Sequence, residues 1–170
     1  WGITNKLLKA GELAKIQNLE YVSVYEEIHG THIELIKALI PNNNDEIVNN
    51  TISNLQSLKQ LLDGIYLIHE ISPSTTDKLS SYGELLSSQI IAEAMRYQKL
   101  DAQVKNSQEL IVTDDTHTKA EVNYALTNEN IITFFKNTSH KITSRPGCIS
   151  KSENGAITTL GRGGSDFTAP

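Results

Sequence analysis

At 170 residues the chain is long enough to bury a sizeable core and is most simply read as one domain. Hydrophobic residues make up 38%, enough to fold, and a net charge of −5 gives no electrostatic reason to expect nucleic acid or an anionic membrane as partner. No apolar run approaches the roughly 18 residues that span a bilayer, no signal-peptide pattern opens the chain, and the single Cys148 lacks a disulfide or metal-ligand companion, all of which fits a reducing cytoplasm.

From Ile3 to Ile16, apolar residues recur at spacings of three to five, predicting an amphipathic helix that Gly11 interrupts or loosens. Thr4 and Asn5 stand at its start, where Thr4 reads as an N-cap. Tyr21, Val24, Ile28, Leu35, Ile36 and Leu39 predict a second helix, with Gly30 as a weak point and Pro41 as a stop. A third should run from about Asp45 to Ile71, and the polar turn Pro41-Asn42-Asn43-Asn44 makes the two antiparallel. His29, His32 and His69 have no acidic or cysteine partner at zinc-motif spacing, so they read as solvated or packed helix histidines.

Ser74-Thr75-Thr76-Asp77 resembles a capping box opening a helix that continues to about Leu100, with Leu79, Tyr82, Leu86, Ile90 and Ala94 on one stripe. Gly83 inside that helix costs about 1 kcal/mol relative to Ala, so it should have a reason, such as close approach of another backbone or a ligand. Glu84 beside it would ordinarily be a solvated surface residue. Asp101–Lys105 and Glu109–Thr113 read as short strands. Asp114 and Asp115 follow in a polar loop, where adjacent side chains face opposite ways and do not make a shared site. Asn123 to Asn137 predicts a last helix. The polar stretch Ile142-Thr143-Ser144-Arg145 does not suit a strand buried on both faces. A hairpin then turns at Asn154-Gly155.

The densest chemistry is Thr158-Thr159-Leu160-Gly161-Arg162-Gly163-Gly164-Ser165-Asp166. Glycines let backbone N–H groups approach an anion and allow positive φ, so a Gly-rich turn after a strand is a natural cradle for phosphate or carboxylate. Arg162 adds a planar, permanent charge. Ser165 and Asp166 read as the cap and first turn of a helix that should run on past Pro170. With Trp1 opening the chain in place of an initiator methionine, the sequence is expected to be a fragment. Helices alternating with short strands argue an α/β domain with a mainly parallel sheet.

The run from Pro146 to Ala169 resembles the hairpin and Gly-Arg-Gly-Gly-Ser-Asp loop of aspartate kinases, members of the amino acid kinase family. Gly2-Ile3-Thr4-Asn5-Lys6-Leu7-Leu8 and Ser81-Tyr82-Gly83-Glu84-Leu85-Leu86-Ser87 match two further family stretches, in family order. The resemblance implies a three-layer αβα sandwich with an incomplete sheet, residues 1–170 forming part of a catalytic domain and about 21–71 a helical excursion beside it. It implies ATP-dependent phosphorylation of the β-carboxylate of L-aspartate, the entry to lysine, threonine and methionine synthesis. Arg162 would grip the substrate α-carboxylate, Glu84 would hold its ammonium group and Thr4 would complete the pocket. Gly163, Gly164 and Ser165 would face the transferring phosphate, and Asp166 would organise a lysine from a Lys-Phe-Gly-Gly loop that would precede Trp1. Mg2+ and ATP are the implied cofactors, although no complete metal site can be assembled on this chain. A homo-oligomer is implied for the full-length parent, and the isolated fragment is expected to be inactive.

Family strands are usually apolar where Lys141 to Cys148 stand, with an aromatic at Cys148, and this chain departs from both. Other kinases of the family, acting on acetylglutamate, glutamate or uridylate, are disfavoured by the Gly2–Asn5 and Ser81–Glu84 pair. The alternative of another class is a non-catalytic aspartate-binding or regulatory module of the same fold.

Overall fold

Helices α1 (Ile3–Lys15), α2 (Glu20–Leu39) and α3 (Asp45–Ile68) form where apolar residues recur at helical spacing, and α4 (Pro73–Tyr97) follows. The computed structural model describes residues 2–42 and 44–161, in two compact units, Trp1–Leu86 and Ser87–Pro170, so that α4 begins in the first and ends in the second.

The first unit closes on a cluster in which Leu7, Ile28, Leu55, Leu58, Leu62, Leu79 and Leu86 are all fully or almost fully out of water. Each such side chain contributes about 1.5–3 kcal/mol of transfer free energy. The α2–α3 pair is antiparallel as expected. Tyr21, at the start of α2, donates its hydroxyl to Asp63 Oδ1 at 2.7 Å and lies 5.4 Å, centroid to centroid, from Tyr66 near the end of α3.

Four local expectations are corrected here. α1 runs through Gly11 without a break, because the glycine serves an approach between helices: a Cβ at that position would stand 2.6 Å from Leu79 Cδ1. α4 opens at Ser72, whose Oγ accepts from the Thr75 N–H at 3.1 Å, two residues before the predicted box at Ser74. Pro73 decides this, since its fixed φ and missing donor suit the first helical position. α3 stops at Ile68 because His69 takes a left-handed conformation, φ 60°, and returns its N–H to Ile65 O. α4 ends at Tyr97 for a similar reason: Lys99, at φ 62°, donates to Arg96 O while the Leu100 N–H reaches Met95 O, a Schellman closure without glycine.

The second unit combines helix with two small sheets. β1 (Ala102–Val104) pairs in parallel with β3 (Ile142–Ser144). β2 (Val112–Thr113) pairs in parallel with β4 (Ile149–Ser152), which turns back antiparallel to β5 (Ile157–Thr159). Of the predicted strand Glu109–Thr113 only the last two residues pair. Ser107–Glu109 instead form a 3-10 turn, capped by the Asn106 side chain accepting from the Gln108 N–H at 3.0 Å. The polar stretch after Lys141 does form a strand, half-buried along its length, and its polar groups are met sideways: Ser144 Oγ donates to Ser88 O at 3.0 Å and Gln103 Nε2 to Thr143 Oγ1 at 3.1 Å. Helix α5 (Tyr124–Asn137) starts where Asn123 caps it, its side chain accepting from the Leu126 N–H. The hairpin turns at Asn154-Gly155 as predicted, Gly155 taking φ 89° and donating to Ser152 O.

Candidate functional site

Thr4 lies in the first turn of α1, which is capped not by its hydroxyl but by Gly2 at φ 105°, with no side-chain bond. The capping role predicted for Thr4 is therefore overturned: positive φ at Gly2 already sets the entry of the chain, and the exposed Thr4 hydroxyl is left for other partners. Gly83 explains the adjoining surface. A Cβ on it would meet Ile3 Cγ2 and Leu7 Cδ1 at 3.3 Å, with Thr4 Oγ1 at 3.9 Å, so α4 rests directly on the first turns of α1. The bare backbone at position 83 thus brings Gly2-Ile3-Thr4 and Tyr82-Gly83-Glu84 side by side although about eighty residues separate them in the chain. Glu84, half-buried, follows on the same helix turn.

In the second unit the hairpin delivers the glycine run. Its register pairs Ile149 with Thr159 and Ser150 with Thr158. Beyond the last pair, the Leu160 N–H donates to Cys148 O at 3.0 Å and the Cys148 thiol to Gly161 O at 3.1 Å. Cys148 itself sits at φ 58°. Gly161 takes φ 79°, and a Cβ there would lie 2.8 Å from Thr118 O, so both the conformation and the space demand glycine. Arg162, Gly163, Gly164, Ser165 and Asp166 lie outside the described residues.

Behind this hairpin runs a feature that sequence reading missed. Thr113 Oγ1 and Thr158 Oγ1 are 2.7 Å apart, Ser150 Oγ lies 2.9 Å from Thr158 Oγ1, and Thr113 Oγ1 also donates to Asp114 O at 2.9 Å. All three side chains are fully buried. A chain of hydroxyls thus cross-links β2, β4 and β5 just below the turn, each group satisfied by the next. One signal was available: Ser150 and Ser152 alternate with exposed Lys151, an inward-facing pair of small hydroxyls.

Charges nearby are held by local bonds. Asp114 accepts from Thr116 Oγ1, and from the Thr116 and Glu121 N–H groups, which keep its carboxyl below the usual range, while Asp115 is bonded instead by Asn154 Nδ2. The two neighbours do not share a site, as expected. Hydrogen bonds from the His140 ring and the Lys141 N–H likewise lower Asp101. In the first unit, burial and the bond to Asp63 push the Tyr21 hydroxyl up to about 12. His32 is buried with Nδ1 2.7 Å from Ile28 O, and burial holds its imidazole below the ordinary value. Among the described residues no group of three or more His, Cys, Asp or Glu could hold a metal ion, and no helix is long and apolar enough to cross a membrane.

No family model matches the chain. Curated relatives do: aspartokinase 1, chloroplastic, of Arabidopsis thaliana is 34% identical over 173 residues, covering 98% of this chain, and lysine-sensitive aspartokinase 3 of Escherichia coli is 32% identical over 120 residues, covering 67% of it. The chain belongs to the aspartokinase family. It spans about 30% of the length of the Arabidopsis relative and 27% of the E. coli one. Among solved aspartokinases, E. coli aspartokinase III in complex with aspartate and ADP (R-state) superposes with a TM-score of 0.85 at 29% identity, over 99% of this chain and 36% of that one. The same enzyme in complex with lysine and aspartate (T-state) gives 0.86 at 27% identity, over 99% of this chain and 37% of that one. The mixed helix-and-sheet architecture of this chain is therefore that of an aspartokinase segment.

Proposed function

We propose that this chain supplies the amino-acid side of an aspartate kinase active site, in a protein that phosphorylates the β-carboxylate of L-aspartate with ATP as the entry to lysine, threonine and methionine synthesis. The observation that carries the reading is the contact of Gly83 with the first turns of α1, which sets Thr4 beside the Gly83-Glu84 pair. The likeness to an aspartokinase described in complex with aspartate and ADP supports it. In this reading residues 1–170 are part of a catalytic domain built as an αβα sandwich of the amino acid kinase type, with about 21–71 as a helical excursion.

Phosphoryl transfer is mainly positioning and charge neutralisation, and the assigned residues suit that work. Arg162 pairs its planar guanidinium with the α-carboxylate of aspartate, Glu84 takes the ammonium group, and Thr4 closes the pocket. Gly163, Gly164 and Ser165 present backbone N–H groups and a hydroxyl to the transferring phosphate, and Asp166 orients the phosphate-site lysine from elsewhere in the protein. Gly161 fits this use, since its positive φ and lack of side-chain space make the turn from which those residues follow. Magnesium-bound ATP would supply the phosphoryl group and neutralise charge on it.

The test is steady-state kinetics of the full-length protein that carries this chain. Arg162→Ala removes a charge-assisted pair worth about 1.5–3 kcal/mol, so the KM for aspartate should rise at least about tenfold with little change for ATP. Unchanged aspartate kinetics would contradict the assignment.

A further inference from the structure

The second unit contains a cavity of about 530 Å³. Its walls are apolar, with Ile111 and Leu160 among them, and Arg145 reaches it from the end of β3. Glu121, Tyr124, Thr127 and Asn128 are the other polar residues of the lining. Among the described residues nothing hydrogen-bonds or ion-pairs Arg145, although it is half-buried, and its guanidinium is destabilised by that burial. A guanidinium drawn partly out of water without a counter-charge is costly unless something compensates it. Its planar fork matches a carboxylate.

The rest of the lining narrows the choice. A phosphate would need several donors and would be repelled by Glu121, whereas an apolar body suits Ile111 and Leu160, and an ammonium group suits the Glu121 carboxylate. We propose that this cavity binds an aliphatic α-amino acid, its carboxylate on Arg145, its ammonium group towards Glu121 and its side chain against Ile111 and Leu160. Leu160 immediately precedes the Gly161 turn, so such a ligand would touch the strand end that delivers the glycine run.

Calorimetric titration of the purified chain tests this with three probes: L-leucine, isocaproate, which keeps the body and carboxylate but lacks the ammonium group, and inorganic phosphate. Saturable binding of leucine is expected, with isocaproate weaker and phosphate undetected. Arg145→Gln should weaken leucine at least about tenfold, the loss of one charge-assisted pair, and Arg145→Lys should restore part of it. Glu121→Gln should bring leucine down to the level of isocaproate and leave isocaproate unchanged. No saturable heat with leucine, equal binding in Arg145→Gln at an unchanged circular dichroism spectrum, or a preference for phosphate would each overturn the proposal.

Discussion

The two units hold themselves together by different means, and each contains a buried threonine that makes the contrast concrete. In the helical unit the core is aliphatic, and Thr51, on α3, is fully buried with no hydrogen-bond partner for its Oγ1 among the described residues. In the sheet unit Thr158 is just as buried, yet its hydroxyl is bonded to both Thr113 and Ser150. The same group is thus a liability in one place and a cross-link in the other. What decides is whether desolvation is compensated, since an unmade buried hydrogen bond costs more than a made one contributes.

The largest effect should come from breaking the aliphatic side of the comparison. Leu58→Ala in the centre of the first unit should cost about 2–5 kcal/mol, measured as a lower denaturation midpoint by helical circular dichroism. A loss under about 1 kcal/mol would mean the cluster is not the unit's core.

One substitution then sharpens the contrast, because it should act with opposite sign in the two units. Thr158→Val removes the hydroxyl that Thr113 and Ser150 share, leaving them their bonds to the Asp114 and Thr158 carbonyls, and should destabilise by about 1 kcal/mol, whereas Thr51→Val removes an uncompensated hydroxyl and should stabilise by about 1 kcal/mol. Denaturant titration of both variants gives the signs directly, and equal signs would remove the distinction drawn here.

The smallest effect is on pH. Burial lowers the His32 imidazole below its ordinary value of 6.5, so the folded state prefers it neutral while the unfolded chain takes up a proton below that value. Stability should therefore fall as pH drops from about 7 through 6.5 and below, and His32→Gln should flatten that part of the profile. An unchanged pH profile in the variant would show that His32 is not the group responsible.

How far the sequence could be read follows the same division. Helices α2, α3 and α5 lie close to their predicted spans because apolar spacing reports helices that bury one face. The motif pair Gly2–Thr4 and Gly83–Glu84 was legible as well, Gly83 because glycine inside good helix formers asks for a close neighbour. Gly11 had the same meaning and was misread as a break, since a helical glycine does not say whether a neighbour presses on it. His69 and Lys99 end their helices in left-handed conformations that are usually glycine's, so the stops left no mark in composition. The hydroxyl chain was missed because Thr113, Ser150 and Thr158 come from three strands, and strand pairing, which aligns them, is not written in any one of them.

The claim that matters most is that an amino-acid pocket is built on Thr4, Glu84 and Arg162, and calorimetry of the purified chain with L-aspartate and with ATP, each alone, tests it most directly. Saturable heat with aspartate, lost in Glu84→Gln while the circular dichroism spectrum is unchanged, is the result predicted. No heat with aspartate, or aspartate binding that Glu84→Gln leaves untouched, would contradict it.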